Sequence, residues 1–332
     1  MSPDPALATL SNSLTDAATA LYTFAALAFA AIFAYRTSTT AEPAPVHERV
    51  LVAAGAGGTP PAPARPAPRP AEPRRVFTAD SLGRYAIGLT VIGWTVQLAA
   101  LATRGAAAGH VPWANMFEFV CAVTFAAVTA LLVLFTRKQT LYLGAFVMFP
   151  VVLALGLATT TLHTPVSPLQ PSLDSYWLAI HVLAAIVATG GFTVATALTT
   201  LHLYRGRTSV TPEHSQSSPA IAALAVRLPP AAALERLARQ TITFAFPVWT
   251  FAIIAGAIWA DNAWGRYWGW DPKETWAFIT WIVYAAYLHA QRTRGWSGRK
   301  AAVVAIVGYG CLLFNLIGIN IWGSGLHSYA GI

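Results

Sequence analysis

The sequence predicts an all-α, polytopic membrane protein with about eight transmembrane helices and an external loop rich in tryptophan. Three observations predict it. Hydrophobic residues make up 56% of the 332 positions, only 10% are charged and mean hydropathy is +0.54, far too apolar for a soluble chain of this length. The apolar residues gather into eight runs of bilayer length. The basic residues are dense in every second connecting segment and sparse in the others.

The runs are 17–35, 85–103, 115–136, 140–159, 176–204, 242–260, 275–291 and 301–322. The first lacks a basic n-region and reads as a retained helix rather than a cleaved signal peptide. The linker between the first two runs carries nine of the 22 prolines, a composition expected to stay disordered or adopt polyproline II. Residues 231–240 read as a helix with Glu235, Arg236 and Arg239 on a polar side, lying along the inner interface before the chain enters the bilayer. Three regions result: an N-terminal transmembrane helix (1–36), a proline-rich cytoplasmic linker (37–81) and a membrane domain (82–332).

Orientation follows from charge. The segments after the first, third, fifth and seventh runs hold 18 of the 21 Lys and Arg, leaving Arg104, Arg266 and Lys273 for the other side. The positive-inside rule then puts both termini and the tryptophan-rich loop on the external face of the plasma membrane. The net charge of +8 is thus a topology signal scattered between apolar runs, and no nucleic-acid partner is expected. Cys121 and Cys311 sit far apart in apolar runs and form no C-x-x-C pair, so thiol chemistry would have to come from another protein.

Between the sixth and seventh runs, Trp264, Gly265, Tyr267, Trp268, Gly269, Trp270 and Asp271 place aromatic faces beside glycines that admit close approach. Such a shelf suits a planar apolar cofactor, of which haem is the obvious candidate. The same aromatics would also serve an interfacial belt, and Asp271, Pro272 and Glu274 read as the N-cap, N1 and N3 of a helix. Histidines sharpen the choice. His181, five residues into a run longer than the bilayer requires, and His327, five residues past the last run, both meet the outer surface beside this loop, as the two axial ligands of a bis-histidine haem would. His289 lies near the cytoplasmic end of the seventh run, on one helical face with Phe278, Trp281 and Ala285. His202 is a weaker intramembrane candidate, His110 and His163 are loop alternatives to His181, and His47 and His214 sit in polar cytoplasmic segments. Glu118, one turn into the third run, needs a partner such as Asn115 or an outer-loop arginine, and structural support is as good a role for it as catalysis.

The wording WGRYWGWDPKETWAFITW resembles the WWD signature of the haem-handling proteins of cytochrome c maturation. With Ser175 to Val182, Gly256 to Ala260 and Gly325 to Tyr329 in the expected order, the chain from about Leu82 to Tyr329 resembles the CcsA (ResC) component of System II cytochrome c synthases. The resemblance implies that His181 and His327 ligate haem b iron beside the loop and that His289 receives haem on its way outward. It implies a CcsB/ResB (Ccs1)-type membrane partner, an apocytochrome c substrate bearing C-x-x-C-H, and a thiol-reducing protein acting indirectly. The reaction implied is a lyase-type thioether attachment to which this chain contributes haem transport and positioning, with no residue assigned as general acid or base. Two other readings are a haem-delivery protein that passes haem to a chaperone without forming the bond, and a small-molecule transporter with an aromatic gate. The second fits poorly, since the sequence shows neither internal repeats nor broken midplane helices.

Overall fold

The computed structural model describes residues 4–35, 79–136, 141–167, 169, 173–209, 228–323 and 325–327. Eight long helices account for them: α1 (Pro5–Tyr35), α2 (Ala79–Ala108), α3 (Met116–Phe135), α4 (Leu143–Thr161), α5 (Tyr176–Ser209), α6 (Ala231–Trp264), α7 (Pro272–Ala290) and α8 (Arg299–Leu313). After α8 the helix widens into a π-helical segment, Phe314–Gly318, and ends in the turn Ile319–Trp322. No strand occurs among the described residues. Apart from α7, every helix is long and apolar enough to cross a bilayer, counting α8 with its continuation to Trp322. Lys273, Glu274 and His289 reduce the apolar character of α7, which has 19 residues. Saturating backbone hydrogen bonds within each segment is what lets such a chain enter hydrocarbon. This is a multi-pass membrane protein.

Successive helices run antiparallel. The start of α1 meets the end of α2 through Asp4 N–H and Ala107 C=O (3.1 Å), and Arg104 near that end reaches the carbonyl of Thr164, just past α4. At the opposite end His202 Nδ1 lies 2.9 Å from Ala231 O, and Gly298 N–H donates to Glu235 at 2.7 Å. One end therefore gathers the starts of α1, α3, α5 and α7 with the ends of α2, α4, α6 and α8. The tryptophan-rich loop belongs to that end.

Two apolar clusters build the body. One joins α1 to α4 around Tyr22, Phe29, Phe117 and Leu155. The other joins α5 to α8 around Phe192, Trp249, Tyr284 and Leu312. Helix α5 contributes to both, and 61% of its span is buried against 28–44% for the other six spans, which makes it the axis on which the two groups meet. The proline-rich linker expected over 37–81 lies outside the described residues as far as position 78. The helix expected at 231–240 is the first part of α6, continuous through the apolar run. Leu234 and Ala238 are buried there, so packing holds the segment in line with the bundle.

Polar pairs inside the first cluster fix the helix register. Tyr22 O–H donates to Gln97 Oε1 (2.7 Å), whose amide donates to Cys121 O and Thr124 Oγ1, both at 3.0 Å. Arg104 and Glu118 form an ion pair at 2.8 Å with side chains only 3% and 2% exposed. Glu118 Oε2 also accepts Ala114 N–H at 2.8 Å, while Asn115 caps α3 by accepting Glu118 N–H at 3.0 Å. Removing one partner of a buried pair strands the other charge at a cost of about 3–5 kcal/mol, whereas replacing both by apolar groups costs far less. Arg104→Met should therefore lower the thermal midpoint in detergent sharply, and adding Glu118→Leu should recover most of the loss. Equal destabilisation by the single and double variants would show that the pair is not the source.

Candidate functional site

His181 projects from the first turns of α5 towards α6. Its Nδ1 lies 2.7 Å from Ala252 O, and since a carbonyl only accepts, Nδ1 carries the hydrogen and Nε2 the lone pair. Gly256 makes the approach feasible, because a Cβ there would stand 2.6 Å from Nδ1. One turn along α6, buried Trp259 stacks nearly parallel to the imidazole, with centroids 6.2 Å apart and planes at 11°. Helix, glycine and tryptophan together fix the ring.

The loop is shorter than its motif. Trp264 still belongs to α6, which ends where Gly265 turns left-handed (φ 69°) as its C-cap. Helix α7 starts with a capping box between Asp271 and Glu274 and with Pro272 at its N-terminus, as the sequence motif predicts. In between, Glu274 Oε2 accepts N–H bonds from Gly269 (2.8 Å) and Asp271 (3.1 Å). Those two bonds bracket Trp270, which has φ 58° and is the only described non-glycine residue with a positive φ. Such a conformation costs about 1–3 kcal/mol and persists only where neighbours impose it. Arg266 sits 3.6 Å from Glu274 Oε1, an attractive distance for charges but too long for a hydrogen bond.

Asp271 then ties the end of the chain to the loop. Its Oδ1 accepts from Lys273 N–H (3.1 Å) and from His327 Nδ1 (2.9 Å), and its Oδ2 accepts from Leu326 N–H (2.8 Å). Burial pushes the Asp271 carboxyl up, but the hydrogen bond and charge of His327 and the two backbone N–H groups outweigh it, so its pKa lies below the ordinary value. The carboxylate also orients His327. With Nδ1–H donated to Asp271, the neutral ring would carry its lone pair on Nε2, the arrangement by which a neighbouring carboxylate fixes a metal-ligating tautomer. The ring meets Trp259 and Trp264 edge-on, with centroids 5.7 and 5.0 Å away.

Both imidazoles line one cavity, whose empty space including its mouth is about 1220 Å³. Its walls come from the start of α3, from α5, α6 and α7, and from the π-helical segment after α8, with Trp264, Tyr267 and Trp268 contributed by the motif. The lining is mostly apolar. Thr189 and Asn315 interrupt it, each buried with an oxygen that has no hydrogen-bond partner among the described residues. Lys273 and Glu274 line it as well.

The motif residues divide between two faces. Trp270 is 66% exposed and lies outside the cavity, edge-on to Trp268 (5.8 Å) and Phe278 (6.4 Å). Neither Gly265 nor Gly269 is among the lining residues. Trp281 continues this outer aromatic row, stacked on Phe278 at 6.1 Å, and donates to Thr250 Oγ1 at 2.9 Å. Asn115 lines the cavity, while Glu118 stands behind it with Arg104. His289 is exposed near the far end of α7, eighteen residues and about 27 Å of helical rise from Asp271. His110 and His163 lie outside the lining: His110 bonds to the carbonyls of Val111 and Ser167, and His163 meets Phe117 edge-on at 5.2 Å. Sequence reasoning missed Thr189, Lys273 and Asn315 as lining residues. Two amides in the apolar run 301–322, Asn315 and Asn320, were a usable signal for Asn315, whereas nothing distinguished Thr189 from other helical threonines.

These features define a multi-pass helical membrane protein in which a tryptophan-walled cavity opens between two oriented imidazoles. The chain belongs to the cytochrome c assembly protein family, whose model matches residues 113–327. It is 35% identical over 256 residues to the cytochrome c biogenesis protein CcsA of Guillardia theta, covering 73% of this chain and 84% of that one. The CcsA of Synechocystis sp. is 34% identical over 304 residues (76% and 90% covered), and that of Parasynechococcus marenigrum 38% over 240 residues (67% and 78%).

The depressed pKa of Asp271 gives the chain-end contact a pH dependence of known sign. A lowered folded-state pKa contributes stability that is present above the ordinary carboxylate value and disappears as pH falls through the folded value. Amide hydrogen exchange at Leu326, taken relative to the intrinsic rate at each pH, should accelerate on acidification below the carboxylate range. Asp271→Asn should accelerate it already at neutral pH, since an amide cannot accept all three bonds. Unchanged exchange in that variant would remove Asp271 as the tether.

Proposed function

We propose that this chain is the haem-handling subunit of a System II cytochrome c synthase, holding haem b between His181 and His327 and positioning it for attachment to apocytochrome c. One observation carries the reading: two imidazoles, each with Nδ1 held by an oxygen acceptor so that the neutral ring's lone pair falls on Nε2, line the same tryptophan-walled cavity. Iron takes imidazole through such a nitrogen, and a bis-histidine haem needs one on each face. The apolar walls suit a macrocycle, and the relatives' shared name, cytochrome c biogenesis protein, agrees with that cargo.

The chemistry is addition of each thiol of a C-x-x-C-H segment across a haem vinyl double bond. One carbon–sulfur bond forms, the thiol hydrogen goes to the other vinyl carbon, and nothing leaves. Thiols must arrive reduced, which calls for a thiol-reducing protein upstream. The site contributes positioning, and the substrate's own histidine displaces one of the two ligands as the product departs. No side chain is assigned to proton transfer. A CcsB/ResB-type membrane partner completes the synthase, and His289, exposed at the far end of α7, takes haem on the cytoplasmic side before it reaches the cavity. This orientation places the loop and both termini outside, in keeping with the positive-inside distribution.

Substitution tests the ligands directly. His181→Ala and His327→Ala should each abolish the haem Soret band of the purified protein and holocytochrome c formation, while His110→Ala and His163→Ala should leave both near wild type. Trp268→Ala, which strips a cavity wall, should weaken haem retention by roughly two to four decades, from about 3–5 kcal/mol for a buried aromatic face. Trp270→Ala should cost far less, because that ring lies outside the cavity. A dispensable His181 alongside an essential His163 would overturn the ligand assignment.

Topology has its own test. Single cysteines placed in the tryptophan-rich loop should react in intact cells with a membrane-impermeant thiol reagent, and cysteines in the linker over 37–81 should not. The reverse pattern would invert the orientation.

A further inference from the structure

Among the described residues Lys273 is the one lysine or arginine that lines the cavity. It is held at the first turn of α7, where its backbone N–H is committed to Asp271. Its side chain is half-buried, and no hydrogen bond or ion pair links its ammonium to another described residue. The Asp271 charge acts on the ammonium without an ion pair, and the carboxylates nearby are mostly engaged, although Glu274 Oε1 is buried with no hydrogen-bond partner among the described residues. Asp271 accepts from His327, Leu326 N–H and Lys273 N–H, and Glu274 accepts from Gly269 N–H and Asp271 N–H while facing Arg266.

Open space in the cavity leaves room for water beside the ammonium. An apolar macrocycle filling that space would remove the water and strand the charge, a cost that rises steeply as the local dielectric falls. An occupant that brings its own anion avoids the cost and gains a charge-assisted hydrogen bond. Haem carries anionic groups at one edge only, its two propionates, and bears its vinyl groups towards the opposite edge. Thr189 and Asn315 also offer unpartnered polar atoms deeper in the same cavity, but neither carries a charge to offset a carboxylate.

We infer that Lys273 anchors a propionate of the bound haem and so sets which edge of the macrocycle faces α7. This rests on the haem reading given above. The anchor makes the cavity select for a tetrapyrrole with free carboxylates and turns the vinyl groups away from the first turn of α7. Lys273 acts as a specificity and positioning residue, with no part in ligating iron.

The test uses the full chain, purified in detergent and titrated with haem and with haem dimethyl ester, in which both propionates are capped. Soret absorbance reads the retained pigment. The wild type should prefer haem by about tenfold or more, as expected for a hydrogen bond to a charged group. Lys273→Met should bring that ratio close to one by losing haem affinity while ester affinity holds, and Lys273→Arg should restore most of the preference. Equal loss of both pigments in Lys273→Met would reduce Lys273 to a structural role and overturn the proposal. A preference that survives in Lys273→Met but vanishes in Thr189→Val/Asn315→Leu would place the propionates at the deep end and overturn it too. If the wild type retained neither pigment, the haem reading would fall first, with this inference after it.

Discussion

The carboxylate of Asp271 is the constraint on which the rest of the site depends. It caps α7, and through the capping box it fixes where the loop ends. It also accepts from Leu326 and His327, residues 55 and 56 positions further along the chain. No apolar contact could do the same, because the bond to Nδ1 decides the imidazole tautomer as well as its position. One aspartate thereby joins the start of a helix, the tryptophan-rich loop and the last described residues into one wall.

The opposite wall is built on different physics. His181 sits on a helix buried from both sides, and its partner is the backbone carbonyl of Ala252 rather than a side chain. A rigid element holds a ligand more reproducibly than a loop does. The site thus pairs one imidazole carried by the central helix with one carried by a tethered segment. Trp259 touches both, parallel to His181 and edge-on to His327.

Strain and exposure separate the tryptophans. Trp270 adopts a left-handed backbone because Glu274 draws the N–H groups on either side of it to a single oxygen, and this turns its ring outward against Phe278. Trp268 and Trp264 remain on the cavity side. An aromatic row consequently runs from the loop along the outer face of α7 through Phe278 and Trp281, separate from the cavity itself.

The sequence by itself determined the class of the molecule. Eight apolar runs and the Asp-Pro-x-Glu helix start are local signals that map onto observed helices and a cap, because hydrocarbon permits a single segment no backbone arrangement except a helix and because the cap is made by residues three positions apart. It also named His181, His327 and the motif tryptophans as candidates. Only the tertiary structure decided which of them share a cavity. That Trp270 faces outward follows from hydrogen bonds to Glu274, and that Lys273 lines the cavity follows from the packing of α7 beside α5 and α6. Thr189 and Asn315 join the same lining through helix rotation and through a π-helical segment that no residue pattern announced. That the helix read at 231–240 continues unbroken into the apolar run was not legible for the same reason, since a polar face marks amphipathic character but not whether neighbouring helices extend far enough to bury the other face. Local signals are set by residues a few positions apart, whereas the cavity is set by contacts between helices far apart in the chain, and no spacing along one segment encodes those.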